Sequence, residues 1–354
     1  MNKRHYIIPI FVPHKGCPHD CIFCNQKKIT GHEEEATADE LRQTIEDYLG
    51  TIPAANSSIE VAFYGGSFTA IPIETQTELL DIAYEFMKSG KIHGIRLSTR
   101  PDYIDERISD NLRRFGVSTV ELGVQSMDEE VLRLSHRGHT AQDVRNAVAL
   151  LQSYGFRVGV QVMTGLPGDS RAKCVETVKE LIGLKPDIAR IYPALVIKNT
   201  YMEQLYLRGE YKPWDIEQAA EICKELLILF ERNGVEVIRI GLQPTDNIEM
   251  GRDVVAGPFH PAMRQLVESL IYRDMAEYLL KAADKSETVV FTVNPKDISN
   301  FLGQKRCNIK YLQESLNIRR LTVVQDDRLP SGTVMVNTGI FERSLSKKDY
   351  YGII

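Results

Sequence analysis

The chain has 354 residues, is 43% hydrophobic and carries a formal net charge of −5 at pH 7. This length allows one sizeable core and a smaller second domain. The sequence has no run of about eighteen apolar residues and no apolar leader with a cleavage site, so we expect neither a membrane-spanning nor a secreted protein. We therefore expect a cytoplasmic protein, in which six cysteines indicate metal binding rather than disulfides.

From residue 6 to about residue 240, short β-branched segments alternate with longer segments of helical period. This alternation predicts repeated βα units and a parallel sheet, in an open or closed barrel. Two helix starts are marked by a capping box of Thr37 with Glu40 and a similar pair of Thr140 with Asp143. The predicted strands are Ile7–Val12, Ile59–Phe63, Ile95–Ser98, Thr119–Leu122, Val158–Met163, Ile188–Tyr192 and Val235–Ile240.

The pattern changes after Asp253, where a long helical stretch runs from about Pro261 to Ala283. The remaining segment is predicted as strand, helix, glycine loop, helix, strand and strand. It is basic, because residues 285–354 carry eleven Lys and Arg against seven Asp and Glu, but an excess of this size is only weak support for nucleic-acid binding. We predict a barrel domain over residues 1–284, with a helical extension from about residue 253, and a small α+β domain over residues 285–354.

Three cysteines follow the first predicted strand in the spacing C-x3-C-x2-C, at Cys17, Cys21 and Cys24. Thiolates are soft ligands that suit iron–sulfur clusters or zinc. No further cysteine occurs before Cys174, so a cubane cluster held here would keep one iron without a protein ligand. A chelating amino-acid group could bind at that open iron.

Two other interpretations of these cysteines remain open. One is a structural zinc site completed by His19 or His32, and the other is three unrelated buried thiols. Structural zinc sites usually take their ligands as two separated pairs, and this sequence has no second pair. The His-x-Glu motif of the zinc deaminases is also absent. The ligand count therefore favours the cluster.

Glycine and polar residues follow each of the next five predicted strands. In a βα barrel the carboxyl ends of the strands form one face, and active sites assemble there. Glycine lets backbone approach a ligand closely, and arginine or glutamine can bind carboxylate, hydroxyl or ring groups. The segments are Tyr64–Ser67, Thr99–Asp102, Gly123–Ser126, Thr164–Asp169 and Pro193–Thr200.

Several further residues have ordinary structural interpretations. His136 and His139 flank Arg137-Gly138 at the start of a helix, where ordering a loop and contacting a substrate are equally plausible. Lys198, near the end of the sixth strand, is a weak candidate for a substrate contact. Aromatic residues beyond that strand could line a cavity, although packing is the more common use. They are Tyr192, Tyr201, Tyr206 and Tyr211, and Trp214 is interpreted as a packing residue.

On these motifs the chain resembles the radical S-adenosylmethionine (SAM) superfamily, and within it the radical domain of the Elongator catalytic subunit family. The resemblance covers about residues 5–245. It implies an α/β fold, a partial (β/α)6-type radical SAM barrel. The motifs that carry the resemblance are HKGCPHDCIFC, FYGGSFTA, LSTRPD, VELGVQS, HRGHTAQDV, GLPGDS and IYPALVIKNT.

The resemblance also implies the site residues and the cofactors, a 4Fe-4S cluster and SAM. Cys17, Cys21 and Cys24 would bind the cluster. Gly65 and Gly66 would meet the methionyl amino end of SAM. The candidates around the adenosine are Ser98, Arg100 and Gln125. Ser67 is the sixth candidate cofactor-binding residue. It stands where the resemblance implies a glutamate after the glycine pair, which leaves the amino-group contact to backbone carbonyls or another side chain.

The implied chemistry is one-electron reduction of the sulfonium by the cluster, which breaks a carbon–sulfur bond and gives a 5′-deoxyadenosyl radical. An external one-electron donor, such as a ferredoxin or flavodoxin, would supply the electron. The sequence assigns no catalytic side chain.

Residues 288–336 resemble a K homology domain, in which two helices joined by a Gly-x-x-Gly loop clamp single-stranded nucleic acid. Here the loop begins at Gly303, and Arg306 replaces the second glycine. Lys305, Arg306 and Lys310 would face the nucleic acid. A structural or dimerising appendage is the alternative.

The Elongator family joins its radical domain to an acetyltransferase domain and modifies the wobble uridine of tRNA. We expect no such domain in this chain, and the use of acetyl-coenzyme A and the oligomeric state stay open. The leading hypothesis is an RNA-modifying radical SAM transferase that acts on a base of tRNA or ribosomal RNA. One alternative is a radical enzyme with a small-molecule or protein substrate. Another is a non-catalytic, cluster-bearing RNA-binding or assembly protein, which would not need a cofactor cradle.

Overall fold

The computed structural model describes residues 4–12, 21–25, 37–53, 56–243, 248–281 and 288–354. The chain forms two compact units, the first made of Met1–Asp215 with Val235–Phe259 and the second of Ile216–Gly234 with His260–Ile354. The predicted domain boundary after residue 284 therefore falls inside the second unit. Among the described residues, no helix combines the length and the apolar run needed to cross a lipid bilayer.

The first unit is built on a seven-stranded sheet of parallel strands, in the order β1-β2-β3-β4-β5-β6-β8. All seven predicted strands are present, and the two shortest strands of the unit, β7 and β9, pair antiparallel beside the sheet. The parallel βα fold expected from the sequence is confirmed. The strands are β1 (Arg4–Val12), β2 (Ser57–Gly65), β3 (Gly94–Thr99), β4 (Val117–Gln125), β5 (Arg157–Thr164), β6 (Ile188–Pro193), β7 (Val196–Ile197), β8 (Glu236–Ile240) and β9 (Val254–Ala256).

Helices follow most of these strands and bury one apolar face each. Both predicted capping boxes are present, since the hydroxyls of Thr37 and Thr140 accept from backbone amides three residues on and the partner carboxylates reach back. The helices are α1 (Ala38–Thr51), α2 (Ile73–Lys88), α3 (Glu106–Arg114), α4 (Glu129–Leu134), α5 (Ala141–Ser153), α6 (Arg171–Gly183) and α7 (Tyr201–Leu207).

Charged side chains interrupt strands that are otherwise apolar. Parallel strands covered on both faces are usually near-continuous hydrophobic runs. Here Arg96 in β3, Glu121 in β4 and Arg190 in β6 are exceptions, and Arg96 and Glu121 are buried. Alternate residues of a strand share one face, so Glu121 lies on the same face as Gly123 and Gln125. These charges therefore belong to the face that carries the strand-end residues.

The second unit is a four-stranded sheet, in the order β11-β10-β12-β13, with its own helices. β10 and β11 are parallel and are joined by two short helices and a glycine loop, whereas β12 lies antiparallel to β10. The order predicted for the tail is confirmed as far as β12, whereas β13 and α12 are not among the predicted elements. The elements are α8 (Ile216–Arg232), α9 (Met263–Lys281), β10 (Thr288–Val293), α10 (Ile298–Leu302), α11 (Cys307–Leu316), β11 (Arg320–Gln325), β12 (Thr333–Asn337), β13 (Glu342–Ser346) and α12 (Lys347–Ile353).

Candidate active site

The described part of the cysteine segment, residues 21–25, is held to the first unit by backbone hydrogen bonds and by one apolar anchor. The amide of Ile22 donates to the carbonyl of Ser135 over 3.2 Å, and the amide of Met202 donates to the carbonyl of Ile22 over 2.8 Å. The Ile22 side chain is 1% exposed and packs in a cluster that includes Val131 and Met202. Ordinary protein packing therefore positions Cys21 and Cys24.

Cys21 is buried and Cys24 is partly exposed, and the amide of Cys24 donates to the carbonyl of Cys21 over 3.0 Å. Cys17, His19 and His32 lie outside the described residues. Within the described ranges, no group of three His, Cys, Asp or Glu side chains is placed to hold a metal ion. The predicted ligand set of Cys17, Cys21 and Cys24 is therefore described for two of its three members.

Both cysteines line a cavity of about 600 Å³ at the carboxyl ends of the parallel strands, which we call the strand-end cavity. All six residues predicted to bind the cofactor line the same cavity, so the structure brings them together with the cysteines. Its principal lining residues are Cys21, Cys24, Tyr64, Gly65, Gly66, Ser67, Ser98, Arg100, Glu121, Gly123, Gln125, Arg137, Gln161, Arg190, Tyr192 and Arg239.

Ser67 links the ends of two neighbouring strands. Its buried hydroxyl accepts a hydrogen bond from the Arg100 amide over 2.9 Å and lies 3.0 Å from the Thr99 hydroxyl. Ser67 stands where the resemblance implies a glutamate, and in this chain its oxygen contacts the end of β3. The contact to the SAM amino group that the resemblance would assign to that glutamate stays without an assigned side chain.

Arg100 is a buried connector as well as a cavity-lining residue. Its guanidinium donates to both carboxylate oxygens of Asp102, over 2.9 and 2.8 Å, and to the carbonyl of Arg137 over 2.7 Å. A bidentate arginine–carboxylate contact fixes the plane of the guanidinium. Arg100 therefore joins the end of β3 to the loop that contains Arg137.

Gln125 ends β4 in a backbone conformation that is uncommon for a side chain other than glycine. Its φ is 68°, and the β4–β5 register shifts between Gly123 and Gln125. The Gln125 side-chain carbonyl accepts from the Gln161 amide over 3.3 Å. Bulges often re-aim side chains next to active sites, and this one lies in the wall of the strand-end cavity.

Arg137 contacts a candidate cluster ligand, and the sequence had not singled it out. Its Nη1 donates to the Cys21 sulfur over 3.4 Å, and its Nη2 donates to the Gly123 carbonyl over 2.6 Å. Gly123 has to be glycine for this arrangement, because a Cβ there would lie 2.8 Å from Arg137 Nη2. Arg137 and Cys21 are 116 residues apart in the chain, so no local sequence pattern could reveal the contact.

The floor of the cavity is a buried charge network centred on Glu121. Its carboxylate pairs with Arg190 through a short hydrogen bond and with Arg96 over 3.0 Å. The Tyr64 hydroxyl accepts from Arg190 over 3.1 Å, and burial, followed by the charge of Glu121, raises the pKa of Tyr64 to about 12. Charged residues within apolar strands were the sequence signal for this network.

The described part of the cavity wall carries more positive than negative charge. Among the described lining residues, Arg100, Arg137, Arg190 and Arg239 stand against one carboxylate, Glu121. Arg100 pairs with Asp102 and Arg190 with Glu121, while Arg137 donates to the Cys21 sulfur. The described wall therefore favours an anionic group near Arg137 or Arg239.

The predicted RNA-binding residues lie in the second unit, in and after the loop between α10 and α11. Gly303 has a φ of 69°, and a Cβ there would lie 2.6 Å from the Cys307 sulfur, so only glycine fits. Lys305 and Arg306 also have positive φ, 49° and 60°. Their side chains and that of Lys310 are exposed. Arg306 thus keeps the left-handed backbone that a glycine adopts easily while adding a charge.

Comparisons with known proteins agree with this architecture. A family model described as the radical SAM superfamily matches residues 11–181, and one described as the Radical_SAM C-terminal domain matches residues 186–273. Together they cover most of the chain.

The similar proteins include two relatives and one solved structure. The tRNA uridine(34) acetyltransferase of Methanocaldococcus jannaschii is 31% identical in an alignment of 256 residues that covers 61% of this chain and 47% of that protein. Elongator complex protein 3 of Saccharomyces cerevisiae is 26% identical in an alignment of 262 residues that covers 61% of this chain and 47% of that protein. An archaeal Elp3 structure, from Methanocaldococcus infernus with an N-terminal deletion, superposes with a TM-score of 0.61 at 25% identity, covering 80% of this chain and 64% of that one.

The chain spans about half the length of the curated relatives it matches. The two family models together span the cysteine motif and most of the parallel sheet and of the lining of the strand-end cavity. The predicted likeness to the Elongator radical domain is confirmed, and the chain belongs to the radical SAM superfamily.

Proposed function

We propose that this protein is a radical SAM enzyme that modifies a base of RNA, with tRNA or ribosomal RNA as substrate. The observation that carries the proposal is the strand-end cavity, which joins Cys21 and Cys24 to the six candidate cofactor residues. In the proposal, Cys17 completes the set of three cluster ligands. An external one-electron donor such as a ferredoxin or flavodoxin reduces the cluster, and the enzyme acts in the cytoplasm, where these RNAs are found.

The residues of the cavity fit the two cofactors. Cysteine sulfurs are the usual protein ligands of iron–sulfur clusters. Gly65 and Gly66 have no side chains to obstruct a ligand, and a volume of about 600 Å³ is within the range of small-molecule sites. When bound, the cluster and SAM supply a 5′-deoxyadenosyl radical by one-electron cleavage of a carbon–sulfur bond.

The protein side chains have three tasks in this proposal. Arg137 donates to the Cys21 sulfur and so stabilises negative charge on it, as hydrogen bonds to ligand atoms do around other metal centres. The contacts of Ser67 and Arg100 keep the ends of β2 and β3 at a fixed spacing. The buried network of Glu121, Arg190 and Tyr64 closes the floor with groups that already bond to one another, which limits entry of water.

An RNA substrate is supported by the relatives named above, which include an enzyme of tRNA uridine 34. The proposal concerns the radical step and the RNA substrate. Transfer of an acetyl group is not part of it, because the match reaches only about half the length of those relatives.

The test is the yield of 5′-deoxyadenosine from the anaerobically reconstituted protein with SAM and dithionite, with and without total tRNA or ribosomal RNA. We expect RNA to raise the yield in the wild type, no product from Cys21→Ala, and wild-type behaviour from the exposed-cysteine control Cys307→Ala. If RNA does not raise the yield but a metabolite or protein fraction does, the RNA assignment is wrong. If the wild type neither assembles a cluster nor cleaves SAM, the radical assignment is wrong as well.

The modified nucleoside is identified by a second measurement. Mass spectrometry of tRNA and ribosomal RNA nucleosides from cells with and without the gene should reveal one nucleoside that disappears with the gene. Complementation with Cys21→Ala should not restore it, whereas complementation with Cys307→Ala should.

A further inference from the structure

A second cavity of the first unit, of about 520 Å³, shares no lining residue with the strand-end cavity. Its wall combines four aromatic rings, of His136, Tyr201, Tyr211 and Trp214, with two basic side chains, Arg133 and Lys212. We call this surface the stacking groove. From the sequence, Tyr201 and Tyr211 could line a cavity or pack, whereas Trp214 is interpreted as a packing residue. The proposed radical chemistry uses none of these side chains.

The rings of His136 and Tyr201 are exposed, that of Trp214 is partly exposed, and that of Tyr211 is buried. The rings of His136 and Tyr201 stack with centroids 5.7 Å apart and planes at 21°, although Tyr201 remains 43% exposed. His136 has a φ of 50°, a conformation that costs energy for a side chain of this kind. The backbone therefore holds the exposed imidazole of His136 against the exposed phenol of Tyr201. A buried pair of rings would contribute more packing energy than this exposed pair does.

The Trp214 ring packs against a glycine, Gly165. A Cβ at Gly165 would lie 3.0 Å from the indole ring, and the Gly165 carbonyl accepts from the Tyr211 hydroxyl over 2.6 Å. The indole thus lies directly on backbone, which fixes its plane. Aromatic rings that are fixed and exposed are surfaces on which unpaired bases stack.

The charges of the groove suit a phosphodiester chain. Arg133 and Lys212 are exposed, and neither forms an ion pair among the described residues. The two acids of the wall are already engaged. Glu210 pairs with Arg208 over 3.0 Å, and Asp169 accepts from the Gly165 amide over 2.8 Å.

The groove is joined to the cysteine segment through the backbone. His136 directly precedes Arg137, the residue that donates to the Cys21 sulfur. Tyr201 directly precedes Met202, whose amide donates to the Ile22 carbonyl. A ligand held by these rings is therefore bound by the same loops that position Cys21.

We propose that the stacking groove binds single-stranded RNA, with one unpaired base stacked on its rings and Arg133 and Lys212 contacting the adjacent phosphates. The inference rests on the proposed function, because it assumes that the substrate is RNA. It adds that the RNA is recognised as a single strand, at a site separate from the strand-end cavity.

Trp214 is the sole tryptophan of the chain, so its fluorescence reports directly on the groove. We expect a short single-stranded RNA, such as a uridine hexamer, to quench the emission of the wild-type protein and to bind more tightly than a duplex of the same length. Tyr201→Ala should weaken binding by about fivefold or more, since stacking on one ring contributes at least that much per base. Tyr201→Phe keeps the ring and should bind as the wild type does.

The matched control is Tyr48→Ala, because Tyr48 is also an exposed tyrosine, at 40% against 43%. It should bind as the wild type does, while Lys212→Gln and Arg133→Gln should each lower the salt dependence of binding by about 0.7 in log–log slope. If Tyr201→Ala and Tyr48→Ala bind the RNA with equal affinity, or if the wild type binds duplex as tightly as single strand, the stacking groove is not the RNA site. That holds even if RNA still stimulates 5′-deoxyadenosine formation. Binding that depends on Tyr201 without any RNA-stimulated cleavage would instead support the groove and count against the proposed function.

Discussion

The strand-end cavity of the first unit and the glycine loop of the second unit both contain arginines, but these are largely buried in the cavity and exposed in the loop. In the cavity, Arg100, Arg137 and Arg190 are largely buried and donate to defined protein acceptors. In the loop, Lys305 and Arg306 are exposed to solvent. Buried charges must be compensated by precise partners, whereas exposed ones are free to meet a ligand. The first arrangement suits a site of fixed geometry, and the second suits attraction of a polyanion.

This difference implies different sensitivities to mutation. Changes in the cavity should alter stability and cofactor binding together, because each side chain is bonded to several others. Changes in the loop should leave stability nearly unaltered and act on ligand affinity alone. Four substitutions, in decreasing order of their expected consequences for the protein, test this contrast.

Removal of a cluster ligand should have the largest effect. We expect Cys21→Ala to lose the visible absorbance and the acid-labile sulfide of the reconstituted cluster almost completely, because three thiolates are needed to hold a cubane that leaves one iron open. Cys307→Ala, at the edge of the glycine loop, should retain the wild-type iron and sulfide content. A Cys21→Ala protein with a full complement of iron and sulfide would show that Cys21 is not a ligand.

Breaking the buried network should cost much more stability than breaking an exposed ion pair. We expect Arg190→Ala to lower the free energy of unfolding by about 3 kcal/mol or more, since it leaves the buried carboxylate of Glu121 with less compensation. Arg157→Ala removes an exposed pair with Glu236, formed over 3.0 Å, and should cost about 1 kcal/mol or less. Urea unfolding of the three proteins measures both values, and similar losses for the two variants would contradict the contrast.

The sequence revealed the framework of the site better than its connections. Strand ends can be predicted because β-branched runs and the residues after them are local signals, and the six strand-end residues do line one cavity. The cysteine spacing is equally local. The contact of Arg137 with Cys21 spans 116 residues, and the pairing of Arg190 with Glu121 spans 69, so both depend on how the strands align in the sheet.

Two further features were missed for a related reason. Trp214 looked like a packing residue, and Tyr201 could line a cavity or pack, because the sequence does not show which side of a loop is covered. β13 and α12 were not expected, because Glu342–Ser346 is a polar edge strand without the alternation that marks a half-buried one. The role of these aromatic residues and the formation of β13 both depend on which side chains are buried, and that is known only for the folded chain.

Replacing Arg137 should have an intermediate effect on stability and should also change a property of the cluster, so two separate measurements apply. We expect Arg137→Gln to lower the unfolding free energy by about 1–3 kcal/mol, because the Gly123 carbonyl loses its charged donor. The reduction potential of the cluster should also become more negative, since a positive charge next to Cys21 stabilises the reduced state. Arg107→Gln, on the exposed side of α3, should change neither quantity. An unchanged potential in Arg137→Gln would mean that the contact with Cys21 has no influence on the cluster.

The smallest effect on stability is expected at Arg306. There the effect of the backbone conformation on stability and the effect of the side-chain charge on RNA binding can be measured separately. A left-handed conformation costs a non-glycine residue about 1 kcal/mol, and the greater freedom of glycine in the unfolded chain offsets this, so Arg306→Gly should shift the unfolding free energy by no more than about 1 kcal/mol. If the loop contacts RNA phosphate, the same variant should bind RNA more weakly, with a salt slope smaller by about 0.7, while Arg306→Lys should keep the wild-type slope. If both variants bind RNA as the wild type does, the loop is a structural appendage, and recognition of the strand must come from the first unit.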